Sequence, residues 1–151
     1  MPIAIRSDKI DLSTEKQTEE LADRFLKKIE SGNIIFLYGE IGVGKTTFIK
    51  YLINGFQKIN KLETSEVTSP TFNLLNEYQI DQIKIKHYDL FRLKSAEDIK
   101  NLDLFEDSAN AVTLIEWPQI IKKKPNNLIE LNFEYGKDYQ SRSVQIRGLN
   151  L

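Results

Sequence analysis

Apolar and polar residues alternate along this chain with two different periods. Leu21, Phe25 and Ile29 recur every four residues, with Ala22 and Leu26 beside them, which is the spacing of an amphipathic helix. Thr14-Glu15-Lys16-Gln17 precedes that stripe and fits a capping box, so the helix is predicted to start there and to end near Gly32. Ile34 to Tyr38 is an unbroken apolar run and predicts a strand. From Thr46 to Phe56 the helical period returns, with Phe48, Ile49, Leu52, Ile53 and Phe56 on one face and Gly55 in the last turn. Lys58 to Glu66 is polar and reads as a loop.

The second half of the chain favours the strand period. Val67 to Leu75 holds Pro70, which starts or bends an extended segment rather than a helix. Leu75–Ile80 and Ile83–Tyr88 flank Asp81-Gln82 and predict two antiparallel strands with a tight turn. Ile83 and Ile85 alternate with Lys84 and Lys86, so that strand keeps one wet face. Ser95-Ala96-Glu97-Asp98 resembles a helix start, with Ile99 and Leu102 facing inward. Ala111 to Ile115 predicts a further buried strand. It ends in Glu116-Trp117-Pro118, where Pro118 suits the first turn of a short helix. Leu128–Tyr135 and Ser141–Arg147 alternate around Gly136-Lys137-Asp138 and predict a terminal hairpin.

The order αβαβββαβ followed by two strands places the chain in the α/β class. A mixed sheet is expected, with a parallel P-loop core, flanking helices and antiparallel hairpins. A ligand would then lie at the carboxyl ends of the strands.

Composition narrows the setting. At 151 residues the chain is expected to form one domain, residues 1–151, with 40% hydrophobic and 28% charged residues. A net charge of -1 gives no global attraction to nucleic acid, and no DNA partner is expected. Lys122-Lys123-Lys124 reads most simply as a solvated turn. The absence of cysteine excludes disulfides, thiol nucleophiles and cysteine zinc sites. The first eight residues carry no long apolar region and so no secretory pattern, and no apolar run approaches membrane-spanning length. A cytoplasmic location is expected, with no membrane contact.

Between the first strand and its helix, Gly39-Glu40-Ile41-Gly42-Val43-Gly44-Lys45-Thr46 satisfies G-x-x-x-x-G-K-[ST] in full. The glycines let successive N–H groups turn toward phosphate oxygens. Lys45 can reach the β- and γ-phosphates, the Thr46 hydroxyl can ligate Mg²⁺, and the helix N-terminus adds its dipole. Such a site needs a further acidic group at a strand end. Asp89 and Glu116 both qualify, and spacing alone does not divide the roles between them. His87 shares a strand face with Asp89, at i and i+2. Arg92 follows three residues after Asp89 and fits either a phosphate partner or a surface ion pair. Trp117 adjoins Glu116 at the end of its strand. No Asp is followed three residues later by Gly, so the switch of a GTPase is missing. An ATPase, a small-molecule kinase and a nucleotide-gated binding module remain open on these residues.

Four blocks together resemble the TsaE (YjeE-type) family of bacterial tRNA threonylcarbamoyladenosine biosynthesis. These are Gly39 to Phe48, including Thr47; Val67-Thr68-Ser69-Pro70-Thr71-Phe72-Asn73-Leu74; His87-Tyr88-Asp89-Leu90-Phe91-Arg92; and Leu114-Ile115-Glu116-Trp117-Pro118. Phe91 stands where the family usually has Tyr. Asn101 stands where it usually has Gly, and Asn tolerates the left-handed backbone a glycine would supply. The resemblance implies an ATPase, with ATP and Mg²⁺ as cofactors, that binds the TsaB–TsaD complex and resets it between turnovers, touching tRNA only indirectly. By carry-over, Lys45, Asp89 and Glu116 are catalytic, and Thr46 and Glu116 hold the metal. Ser69 and Thr71 sense the γ-phosphate or the partner. Arg92 is counted with the switch and partner residues, and Trp117 lies at the nucleotide or partner surface. Thr14 and Tyr139 are placed near the nucleotide.

Overall fold

The capping box at Thr14 forms as its spacing predicts. The Thr14 hydroxyl accepts from the Gln17 amide at 3.2 Å, and the Gln17 side chain accepts from the Thr14 amide at 2.9 Å. Helix α1 (Glu15–Leu26) follows and stops short of Gly32, because the amides of Lys28 and Ile29 both turn back onto the Phe25 carbonyl. This computed structural model describes residues 9–151; the first eight residues, and the reading of them as free of a secretory pattern, lie outside it.

Strand β2 (Ile34–Tyr38) enters the glycine loop, and helix α2 (Lys45–Ile59) leaves it. Gly55 does not mark the end of α2. A Cβ there would press on the end of the Leu26 side chain, so α1 and α2 pack closely at this glycine. Strands β3 (Leu75–Ile80) and β4 (Ile83–Asp89) form the predicted hairpin, with Asp81 left-handed at φ 53° in its turn. Residues 67–74 form no strand. Pro70 has no amide to pair, the Leu74 amide bonds the Pro70 carbonyl, and Leu74 at φ 70° reverses the chain. Helix α3 (Ala96–Lys100) is capped by Ser95. Asn101 is right-handed at φ -81°; the left-handed residue of this turn is Asp103, at φ 48°. The expectation for Asn101 is therefore corrected: the reversal falls two positions later.

Strand β5 (Ala111–Glu116) is buried at every residue, and Pro118 opens a short 3-10 turn, Pro118–Ile120. Strands β6 (Leu128–Tyr135) and β7 (Arg142–Arg147) close the chain. A strand of two residues, β1 (Ile10–Asp11), pairs with β7; it is too short to carry a period and was not foreseen.

The sheet order is β1-β7-β6-β2-β5-β4-β3. The pairs β2–β5, β2–β6 and β4–β5 are parallel, and antiparallel strands flank them on both sides. Helices α1 and α2 cover one face over Ile35, Leu37, Ile85, Leu114 and Leu131. The other face is covered by irregular chain carrying Leu90, Leu104 and Ile121, packed on Phe36, Tyr88 and Ile115. Phe48 joins the helical layer to the sheet, with its ring 5.1 Å from Phe25 and 6.2 Å from Phe133.

Phe48→Ala is expected to lower stability by about 3–5 kcal/mol, because the ring is fully buried between two helices and a strand. Denaturant unfolding checks this; a loss below about 1 kcal/mol would mean that the two layers close over the gap.

Candidate functional site

Parallel pairing sets the acidic residues beside the glycine loop. Glu116 of β5 is in register with Leu37 of β2 on one side and with Asp89 of β4 on the other. Both carboxylates therefore end their strands at the edge where β2 gives way to Gly39. A cleft of about 310 Å³ opens there, lined by Ile41, Gly42 and Gly44 of the loop, by Lys45 to Thr47 at the start of α2, by Ser69, Thr71, Asp89 and Phe91, and by Glu116 and Trp117.

The two carboxylates have different partners. The Thr46 hydroxyl donates toward Glu116, 3.2 Å from each carboxylate oxygen. Behind it, His87 Nε2 lies 2.7 Å from Glu116 Oε2, and both residues are buried. His87 Nδ1 has no partner, so the geometry favours the tautomer that donates from Nε2. His87 shares a strand face with Asp89 as the sequence requires, yet it serves Glu116. Asp89 instead holds residues 67–74. Its Oδ2 accepts from the Ser69 hydroxyl and from Thr71 Oγ1 at 3.3 Å, and its Oδ1 accepts from the Phe91 amide at 2.9 Å. Glu116 thus joins the Thr46 hydroxyl, and Asp89 joins the Ser69–Thr71 segment.

Lys45 is buried. Its Nζ donates to the Gly39 carbonyl and lies 3.7 Å over the centre of the Trp117 ring. Burial pushes its pKa down, while the nearby carboxylates of Glu116 and Asp89 oppose that shift. Trp117 reaches this position because its backbone is left-handed at φ 59°, turning the chain back across the site just after β5. Phe91 packs against the Trp117 ring at 4.8 Å.

The glycine loop needs its glycines. Gly39 has φ 148°, and a Cβ there would meet Val43 at 2.8 Å and the Phe133 carbonyl at 3.0 Å. Glu40 and Ile41 form the exposed outer curve, Val43 is buried, and Thr47 lines the cleft from the first turn of α2.

The remaining predicted residues lie farther out. Arg92 is exposed, 5.0 Å from the Phe72 ring, and does not line the cleft. Tyr139 is exposed and packs on Tyr135 at 5.2 Å; the Tyr135 hydroxyl in turn bonds the Ile41 carbonyl. The last hairpin thus meets the glycine loop on its outer side, at Gly39 and Glu40. Thr14 lies beside Gly44 and Thr47 in a smaller hollow, which Arg142 also lines. Sequence reasoning missed Arg142, because a basic residue opening a strand carries no distinguishing pattern. It also missed the His87–Glu116 pair, which joins two strands.

No group of three or more His, Cys, Asp or Glu side chains capable of holding a metal occurs among the described residues. Thr46 and Glu116 still fit Mg²⁺, which favours oxygen ligands and needs only one or two from protein when phosphates and water supply the rest.

The parallel core, the glycine loop and the acidic strand ends define a P-loop NTPase-like fold. A crystal structure of YdiB from Bacillus subtilis has the same fold, with a TM-score of 0.72 at 20% identity, over 96% of this chain and 87% of that one. The family profile for threonylcarbamoyl adenosine biosynthesis protein TsaE matches residues 12–144. The chain belongs to the TsaE family. It is 42% identical to a tRNA threonylcarbamoyladenosine biosynthesis protein TsaE of Rickettsia bellii, over 82% of this chain and 83% of that one. Proteins of the same name from Aquifex aeolicus (34% identical, 89% and 92% covered) and Nostoc (32% identical, 94% and 86% covered) are similarly related.

Asp89→Ala is expected to release residues 67–74, since it removes the acceptor of Ser69, Thr71 and the Phe91 amide. Hydrogen exchange of this segment should rise while the helices keep their protection. Unchanged protection would show that backbone contacts alone hold it.

Proposed function

We propose that this TsaE-family chain is a Mg²⁺-dependent ATPase that serves the TsaB–TsaD complex of tRNA threonylcarbamoyladenosine synthesis and resets it between turnovers. The observation that carries the reading is the Thr46 hydroxyl set between both oxygens of Glu116, next to Lys45 at the mouth of a glycine loop. Bound Mg²⁺ would supply charge neutralisation for the β- and γ-phosphates.

Each residue then has a defined task. The loop amides from Gly39 to Thr47 cradle phosphate. Lys45 leaves the Gly39 carbonyl and the Trp117 ring to meet the terminal phosphates. Glu116 is held in orientation by His87 and serves the metal together with Thr46. Asp89 acts through residues 67–74: its hold on the Ser69 and Thr71 hydroxyls keeps them beside the place where the terminal phosphate would sit. One of those hydroxyls turning to phosphate would loosen the segment and report the nucleotide state at the surface.

That surface suits a protein partner. Ile41, Phe72 and Phe91 are exposed apolar side chains on the segments that frame the cleft, and Phe72 is 83% exposed. Among the described residues, no arginine lines the cleft, so turnover by the isolated chain is expected to be slow. No helix among the described residues is long and apolar enough to cross a membrane, which is consistent with action in the cytoplasm.

Lys45→Ala is expected to weaken ATP binding more than tenfold, because a charge-assisted phosphate contact is lost. Glu116→Ala should retain nucleotide binding and lose roughly 10²-fold in turnover. The deciding experiment is ATP hydrolysis by the purified chain, alone and with its host's TsaB–TsaD pair. Stimulation by the pair, lost in Glu116→Ala, supports the proposal. Turnover that ignores the pair and appears only with an added metabolite acceptor would replace it with a kinase.

A further inference from the structure

The run Lys122-Lys123-Lys124 takes no part in the glycine-loop cleft, and the structure sets it beside a second hollow. This hollow measures about 600 Å³ and lies at the amino ends of the parallel strands, opposite the end that carries Gly39 and Glu116. Three connections meet there: Ser31 and Gly32 before β2, Ser108 and Ala109 before β5, and residues 123–127 before β6. Backbone bonds join the first two. The Gly32 amide donates to the Ala111 carbonyl at 2.9 Å, and the Thr113 amide donates to the Asn33 carbonyl at 3.0 Å. Asn127, left-handed at φ 60°, turns the third into β6.

The lining combines three chemistries. Ile34 and the half-buried Phe105 are apolar, and the Phe105 ring lies at only 26° to that of Phe36, which steadies it as a platform. Ser31, Ser108, Asn126 and Asn127 supply hydroxyls and amides, and none of these side chains has a hydrogen-bond partner among the described residues. The third is positive charge, with no carboxylate in the lining. Lys124 is pinned by Glu130 at 3.0 Å, through the same oxygen that accepts from the Tyr38 hydroxyl at 2.8 Å. Lys122 and Lys123 are exposed and have no ion pair among the described residues.

Together these suit a single nucleic-acid strand. Ammonium groups meet its phosphates, an aromatic face meets an unpaired base, and free amides meet base edges. An acidic peptide would use the lysines and leave Phe105 and both asparagines idle. We infer that this hollow is a contact site for single-stranded RNA, with Lys122 and Lys123 on its phosphates and Phe105 under one base. The site goes beyond the indirect relation to tRNA that the family resemblance implies, and it rests on the proposed tRNA-modification role only for the choice of RNA over DNA. Because the hollow and the glycine-loop cleft lie at opposite ends of the strands, both can be filled at once. A net charge of -1 does not oppose this, since a local cluster attracts phosphate over a short, salt-dependent range.

Fluorescence anisotropy of a short labelled single-stranded oligoribonucleotide, titrated with the full chain, tests this. The double variant Lys122→Ala, Lys123→Ala should bind roughly tenfold more weakly, with a salt slope shallower by about 1.4, because each phosphate contact on a single strand contributes about 0.7. Phe105→Leu should also lose roughly tenfold, with the salt slope unchanged, because stacking releases no counterions. The lysine variant should keep wild-type thermal unfolding and ATP hydrolysis, since it alters neither the core nor the cleft. A DNA strand of the same sequence should bind more weakly, because it offers Ser31 and Ser108 no 2′-hydroxyl. No RNA binding by the wild type, or wild-type affinity in the lysine variant, would overturn the inference. So would equal affinity for DNA, or displacement of the RNA by polyglutamate at equal charge, which would make the hollow a general polyanion or acidic-peptide site. The titration uses no ATP and no partner protein, so its failure leaves the ATPase reading of the cleft standing.

Discussion

The site depends on one constraint, the register of three parallel strands. Because β2, β5 and β4 run side by side in the same direction, Leu37, Glu116 and Asp89 fall on one line across the sheet. A slip of two residues in either pairing would keep the same face buried and still move a carboxylate by about 6–7 Å. The register is pinned by the fully buried β5 and by the packing of Phe48 and its neighbours on the sheet. Core packing thus sets the distance between carboxylate and glycine loop, and no local contact at the site could do so alone.

On that line the two acidic residues are held in different ways. Glu116 has a rigid support behind it in His87, itself fully buried. Asp89 has a chain segment in front of it, bound through two hydroxyls and without strand pairing. A rigid carboxylate suits metal coordination, in which angles matter. A carboxylate bonded to a loop suits a signal, because hydroxyls exchange acceptors at small cost. The same carboxylate group at two adjacent strand ends thus has two different surroundings, a buried histidine for one and the hydroxyls of a loop for the other.

Much of this was legible in the sequence because it is local. The capping box at Thr14, the strand before Gly39, the Asp81 turn and the terminal hairpin each depend on neighbours within a few positions. What stayed hidden depends on segments far apart in the chain. Gly55 looked like a helix end because its reason is Leu26. Residues 67–74 looked extended because their partner is a side chain, Asp89, and no neighbouring strand. His87 showed its face but not its partner, and Arg142 showed neither. Periodicity reports burial and direction; it does not report which buried groups meet.

Lys45, lastly, already has partners within its own chain. The Gly39 carbonyl and the Trp117 ring together act as an internal competitor for its ammonium group. Any phosphate ligand must displace them, so part of its binding free energy is spent on that exchange. The same contacts are available again when the ligand departs. On the proposed function, a lysine that meets a phosphate chain would therefore have contacts to return to, which would weaken net affinity. Weaker retention of the spent ligand would on that reading be an advantage, and a single aromatic ring and one carbonyl would supply it.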